Sequence, residues 1–180
     1  TRDLLGETLA ALEGGAGAVV TASGMAAITL VLHLLGRDAR VLAPHDGYGG
    51  TWRLLRALEA KGQLTVELAD LTDEAARDDA IARRPTLVWI ETPSNPLLRI
   101  TDLAATCAAA KRAGALVAVD NTFLSPVLQQ PLRFGADLVV HSTTKYLNGH
   151  SDVVGGAVVT SGPELHERLA FLQNAIGAVP

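Results

Sequence analysis

Seven short aliphatic, β-branched runs recur along this chain, mostly separated by longer helical patterns, and that alternation constrains the fold more than any other feature. The runs are AVVT from Ala18, RVLAP from Arg40, TVEL from Thr65, TLVWIE from Thr86, LVAVD from Leu116, LVVHS from Leu138 and GAVVT from Gly156. Helical stretches lie over Met25–Leu35, Thr51–Lys61, Asp73–Arg83 and Leu103–Arg112, with a further one in ELHERLAFLQNAI. Strands that alternate with helices predict an α/β protein, a three-layer α/β/α domain around a mostly parallel seven-stranded sheet. The strands are apolar without strict alternation, as expected when both faces of a sheet are covered. No repeat, low-complexity tract or linker divides the 180 residues, so residues 1–180 read as one domain.

Bulk properties narrow the function. An apolar content of 48% with 19% charge is that of an ordinary globular protein. A net charge of −4 argues against a nucleic-acid partner, so any anion site has to be built locally. The longest apolar run, MAAITLVLHLL, is too short to span a bilayer, and TRDLLGETL at the start is not a basic-then-apolar leader; no membrane partner is expected. The single cysteine, Cys107, excludes an internal disulfide and fits a reducing cytoplasm; its alanine-rich surroundings predict a buried helical thiol. The chain opens within a helical pattern and without a methionine, which reads as a piece of a longer protein.

Ligands of open α/β sheets bind outside the carboxyl ends of the strands. The segments that follow the strands here are ASGMAA, HDGYGG, TPSNP, NTF and STTKYLNGH, so the distinctive chemistry gathers at one sheet edge. Ser23–Gly24 opens a helix, where free amide groups bind phosphate and a glycine allows close approach. The same pair is equally the mark of an N-capping serine. Neither the G-x-G-x-x-G fingerprint of dinucleotide binding nor a P-loop is present. Ser142, Thr143 and Thr144 form a hydroxyl cluster that suits either further phosphate contacts or a strand-capping turn. Asp120 closes an otherwise apolar strand, where a carboxylate is costly without a partner: a turn cap, or the partner of a protonated ring nitrogen. Tyr48, in a glycine-flanked loop, is placed either to stack on a flat ligand or to pack on the surface. Asn95 reads as a turn residue, and His45, His150 and Asp152 show no metal-ligand spacing, so no metal is expected.

Lys145 ties these pieces together. The chain has three lysines; Lys61 and Lys111 lie in helical stretches, whereas Lys145 stands between an apolar strand and the turn LNG. A lysine able to form a Schiff base, a phosphate cradle, an aspartate for a pyridinium and a stacking tyrosine are the parts of a pyridoxal 5'-phosphate site.

Asp137 to Ser151, DLVVHSTTKYLNGHS, resembles the lysine signature of the Cys/Met-metabolism pyridoxal-phosphate enzymes. HDGYGGTWRL, ETPSNPLLRI and VDNTFLSPVLQQPLRFGADLV resemble further segments of that family, and the likeness runs along the whole chain. It implies the fold-type I, aspartate aminotransferase-like large domain, with the family's N-terminal arm and C-terminal small domain absent. It implies catalytic roles for Lys145, which would hold the cofactor and shuttle protons, and for Tyr48, which would stack on its ring. Asp120 would face the pyridine nitrogen, Thr122 would lie beside the ring, and Asn95 would contact the ring hydroxyl. Ser23, the amides of Gly24 and Met25, and the hydroxyls of Ser142 and Thr144 would hold the phosphate. Arg53 resembles a position that would meet the distal carboxylate of a succinylated substrate, although an arginine on an exposed helix face is the favoured reading. The likeness implies small amino-acid substrates and γ-replacement, which condenses an O-acylhomoserine with cysteine to cystathionine. β- or γ-lyase, methionine γ-lyase and sulfhydrylase activities are the alternatives within the family; a truncated, non-catalytic cofactor-binding or assembly domain is the alternative outside it. A cytoplasmic homotetramer, a dimer of dimers, is the implied assembly.

Overall fold

The computed structural model describes residues 1–180. Its order is α1 (Arg2–Glu13), β1 (Gly17–Thr21), α2 (Gly24–His33), β2 (Ala39–Pro44), α3 (Gly49–Ala60), β3 (Leu64–Ala69), α4 (Glu74–Ala82) and β4 (Leu87–Glu91). There follow α5 (Leu103–Arg112), β5 (Leu116–Asp120), the short α6 (Ser125–Leu128), a 3-10 turn (Pro131–Phe134), β6 (Leu138–His141), β7 (Gly156–Thr160) and α7 (Pro163–Ile176). All seven expected strands form one sheet, in the order β1-β7-β6-β5-β4-β2-β3.

Helix starts follow from side-chain caps. Ser23, Asp73 and Asp102 accept the amide N–H of Ala26, Ala76 and Ala105, at the starts of α2, α4 and α5. Proline opens the two short turns between β5 and β6, where four-residue lengths leave no periodicity to read from sequence.

The parallel core comprises β3-β2-β4-β5-β6. Strand β7 runs antiparallel to both neighbours, β6 and β1, because residues 142–155 carry no crossover helix. Two reversals leave β1 pointing the same way as β6, so the carboxyl ends of β1, β2, β4, β5 and β6 share one edge.

Alternate strand residues feed two cores. On one face Val41, Leu87, Trp89, Ala118, Leu138 and Val158 pack with α2, α3 and α7. On the other, Leu42, Val88, Ile90, Val117 and Val119 pack with α4 and α5, and Val139 and Val159 pack with Leu9 and Ala10 of α1. This is the three-layer arrangement. Burying each such aliphatic side chain contributes about 1.5–3 kcal/mol, against the entropy of ordering the chain. Cys107 lies in the second core with no exposure, as its surroundings predict.

Candidate active site

A cleft opens at the shared strand edge. One end is formed by Ser23, Gly24 and Met25, the floor by Asp120, Thr122 and Val140, and the rim by Tyr48, Asn95 and Lys145. Ser142, Thr144, Glu91 and Phe123, with Ile28 and Pro93, complete the lining. The strand-end segments quoted from the sequence therefore converge in space.

Ser23 is an N-cap: its hydroxyl oxygen accepts the N–H of Ala26 at 3.1 Å, and its carbonyl accepts that of Ala27. The N–H groups of Gly24 and Met25 have no acceptor in the chain. A Cβ on Gly24 would stand 2.7 Å from the Cβ of Ser142, so only glycine lets the start of α2 come this close to the end of β6. Amide donors at the positive end of a ten-residue helix, beside the Ser142 hydroxyl, form an anion cradle.

Thr122 joins two strand ends. Its hydroxyl donates to Asp120 Oδ1 at 2.5 Å and accepts the N–H of Ser142 at 2.9 Å, while its own N–H donates to Asp120 Oδ1 at 3.1 Å. Asp120 Oδ2 has no partner in the chain and remains accessible from the cleft. Burial pushes the Asp120 carboxyl above its usual range; the two Thr122 bonds and the nearby His141 oppose that shift.

Lys145 follows β6 in a turn closed by its N–H on the Ser142 carbonyl, and no carboxylate lies within ion-pair distance of its amine. Thr144 also lines the cleft, but its hydroxyl is engaged with Gly155, whose N–H it accepts at 3.0 Å and whose carbonyl lies 3.2 Å away. Tyr48 caps α3 and Asn95 follows β4. Arg53 is exposed on α3, its guanidinium beside Gly49, and it forms no part of the cleft wall.

Glu91 belongs to the site and was not singled out from sequence. It ends β4 as Asp120 ends β5, and the two are register partners on neighbouring strands. A carboxylate closing the apolar run TLVWIE carries the same signal that marked Asp120 in LVAVD.

The sequence profile of the Cys/Met metabolism PLP-dependent enzymes matches residues 1–180. The chain belongs to that family. It is 53% identical to cystathionine gamma-synthase of Escherichia coli (strain K12), over 98% of this chain and 46% of that protein. Identity to a putative cystathionine gamma-lyase 2 of Caenorhabditis elegans is 47%, over 100% of this chain and 47% of the relative. Among solved structures, cystathionine gamma synthase from Xanthomonas oryzae pv. oryzae in complex with cystathionine superposes with a TM-score of 0.97 at 62% identity, covering 99% of this chain and 46% of that one. A cystathionine gamma lyase (CalE6) from Micromonospora echinospora gives a TM-score of 0.95 at 44% identity, over 99% and 47% of the two chains. The chain thus spans about half the length of the curated relatives it matches.

Membership of this family makes pyridoxal 5'-phosphate the cofactor, and the residues fit it. The unpartnered amides of Gly24 and Met25 suit a phosphate, and the accessible Asp120 Oδ2 suits a ring N–H. Lys145 offers an amine with no competing carboxylate, and Tyr48 an aromatic face on the rim. Each is the donor, acceptor or nucleophile that one part of that molecule requires.

Proposed function

We propose that this chain is the cofactor-binding large domain of an enzyme of γ-replacement, condensing an O-acylhomoserine, O-succinylhomoserine in particular, with cysteine to give cystathionine. The observation that carries this reading is the likeness, at 61–62% identity over 99% of the chain, to structures whose bound molecules are cystathionine in one and aminoacrylate with cysteine in the other.

Pyridoxal phosphate, when bound, supplies an electron sink for the carbanion formed at the substrate α-carbon. Gly24, Met25 and Ser142 bind its phosphate and so fix its position along the cleft. Asp120 keeps the ring nitrogen protonated, and Thr122 holds the aspartate in place through Oδ1. Tyr48 covers one ring face, and Asn95 meets the ring hydroxyl. Lys145 would carry the cofactor through its Nζ and, with that amine free, would take the substrate α-proton and give it up again before it takes a β-proton. The acyl group would leave the γ-carbon as carboxylate, and the cysteine thiol would take its place there.

We further assign the full protein to a cytoplasmic homotetramer built from dimers. Leu97, Leu98 and Ile100 after β4, and Val127 of α6, are apolar and each more than half exposed, which supports such association. The reduced, buried Cys107 accords with a cytoplasmic setting.

Product analysis of O-succinylhomoserine with cysteine, beside cystathionine alone, tests the reaction. Cystathionine as the main product supports the proposal; keto acid released from cystathionine as the dominant activity overturns it in favour of a lyase.

A further inference from the structure

Glu91 is 6% exposed and has no cation within ion-pair distance. A buried carboxylate without a counter-charge is costly, so what it holds matters. Its two oxygens reach two different loops: Oε2 accepts the N–H of Tyr48 at 2.7 Å, and Oε1 accepts the N–H of Asn95 at 2.8 Å. The first loop closes over the carboxylate so tightly that a Cβ on Gly47 would stand 3.2 Å from Oε2. A cap for one loop would need one acceptor oxygen. Here the carboxyl group spans β4's own loop and the loop that enters α3, and each bonded amide belongs to a residue of the cleft rim.

Resting on the cofactor reading above, we propose that Glu91 is a positioning residue whose two oxygens lock the Tyr48 and Asn95 loops to the end of β4 and so set the spacing of the ring-stacking tyrosine and the ring-contacting asparagine. Fixing both backbones at the bonded amide removes freedom that either side chain would otherwise lose on binding a flat ligand. Glutamine at this position offers one acceptor oxygen and one amino group, so it satisfies one loop and opposes the other.

Amide hydrogen exchange on the full protein without cofactor tests the two ties directly. In Glu91→Ala the amides of Tyr48 and Asn95 are expected to exchange at least roughly tenfold faster, the scale of one lost hydrogen bond, while those of Val88 and Val119 stay unchanged. In Glu91→Gln one of the two amides is expected to speed up. Pyridoxal phosphate titrated into both variants is expected to bind roughly tenfold or more weakly, with a diminished induced circular dichroism band. Unchanged exchange at both amides overturns the proposal. Faster exchange with wild-type cofactor affinity and dichroism also overturns it, because Glu91 would then be a structural strut only. A wild-type protein that takes up no cofactor overturns the functional reading instead, and the exchange rates still decide the two ties.

Discussion

His141 Nε2 lies 2.6 Å from Glu13 Oε1, and neither side chain has any exposure. The pair joins the end of α1 to the end of β6, one residue before Ser142, and Glu13 Oε1 also accepts Asn121 Nδ2 at 2.9 Å, one residue after Asp120. Both floor strands of the cleft are thus anchored from behind by one carboxylate. Glu13→Ala leaves the imidazole without a partner and one Asn121 N–H unpaired, the other still bonded to the Gln129 carbonyl, and each buried polar group left unpaired costs about 1–3 kcal/mol. Urea unfolding is expected to show a loss of about 2–5 kcal/mol, with Glu13→Gln losing less. A change under about 0.5 kcal/mol in Glu13→Ala contradicts the anchoring role.

Stability is expected to fall as pH rises from about 5 to 8. Burial, with Asp120 on β5 and Asp46 after β2 facing it, pushes the Glu91 carboxyl up to about 8, against the two amide bonds that favour its charge. Between the ordinary glutamate value and 8 the folded state therefore holds a proton that the unfolded chain releases, and raising the pH favours unfolding. Denaturant midpoints across this range should decline more steeply in the wild type than in Glu91→Gln. Parallel profiles would show that Glu91 does not titrate there.

Lys145→Ala is expected to abolish the covalent attachment of pyridoxal phosphate that borohydride reduction fixes and an intact mass reads. Noncovalent affinity through the phosphate cradle should persist, since Gly24, Met25 and Ser142 are untouched. Cofactor still fixed to the variant after reduction would place the covalent link elsewhere.

Gly24→Ala tests the close approach of α2 and β6. A methyl group 2.7 Å from the Ser142 Cβ forces the two apart, at a cost of about 1–3 kcal/mol and with a weaker phosphate site. Calorimetry with inorganic phosphate or pyridoxal phosphate reads the second effect. Wild-type stability and affinity together would mean that the strand ends yield freely.

The Cys107 thiol should be inert in the native protein. Burial, with Asp137 adding to it, pushes the thiol up to about 11, so little thiolate forms at neutral pH and no reagent reaches it. An aromatic disulfide reagent is expected to modify one thiol per chain after denaturation and almost none before. Rapid native labelling would show that α5 opens readily.

Residues of unusual type at strand ends made most of the cleft legible in advance. Lys145, Asp120, Tyr48 and the Ser23–Gly24 turn each stood out against apolar or helical neighbours. Glu91 closes its strand as Asp120 does, but its role is less legible because its partners are backbone N–H donors, one of them 43 residues away, and such donors leave no mark in side-chain patterns. The Glu13–His141 contact joins two side chains 128 residues apart, and nothing in the local sequence of either one marks the other. Strand β7 matched expectation in position, but GAVVT reads alike in either direction, and only the helix-free stretch before it accounts for its reversal. Arg53, which the family resemblance aligned with a substrate-carboxylate position, lies on the exposed side of α3.

The reversal of β7 also governs the order in which the protein can be built. Strand β1 enters the sheet only through β7, with Thr21 opposite Gly156. The Ser23–Gly24 turn, made early on the ribosome, is therefore left without its sheet neighbour until residues 156–160 emerge. Pairings this distant in sequence close late, after the local helices and the parallel core have formed. The two halves of the phosphate cradle, the start of α2 and the end of β6, thus owe their alignment to a strand that supplies no residue to the cleft.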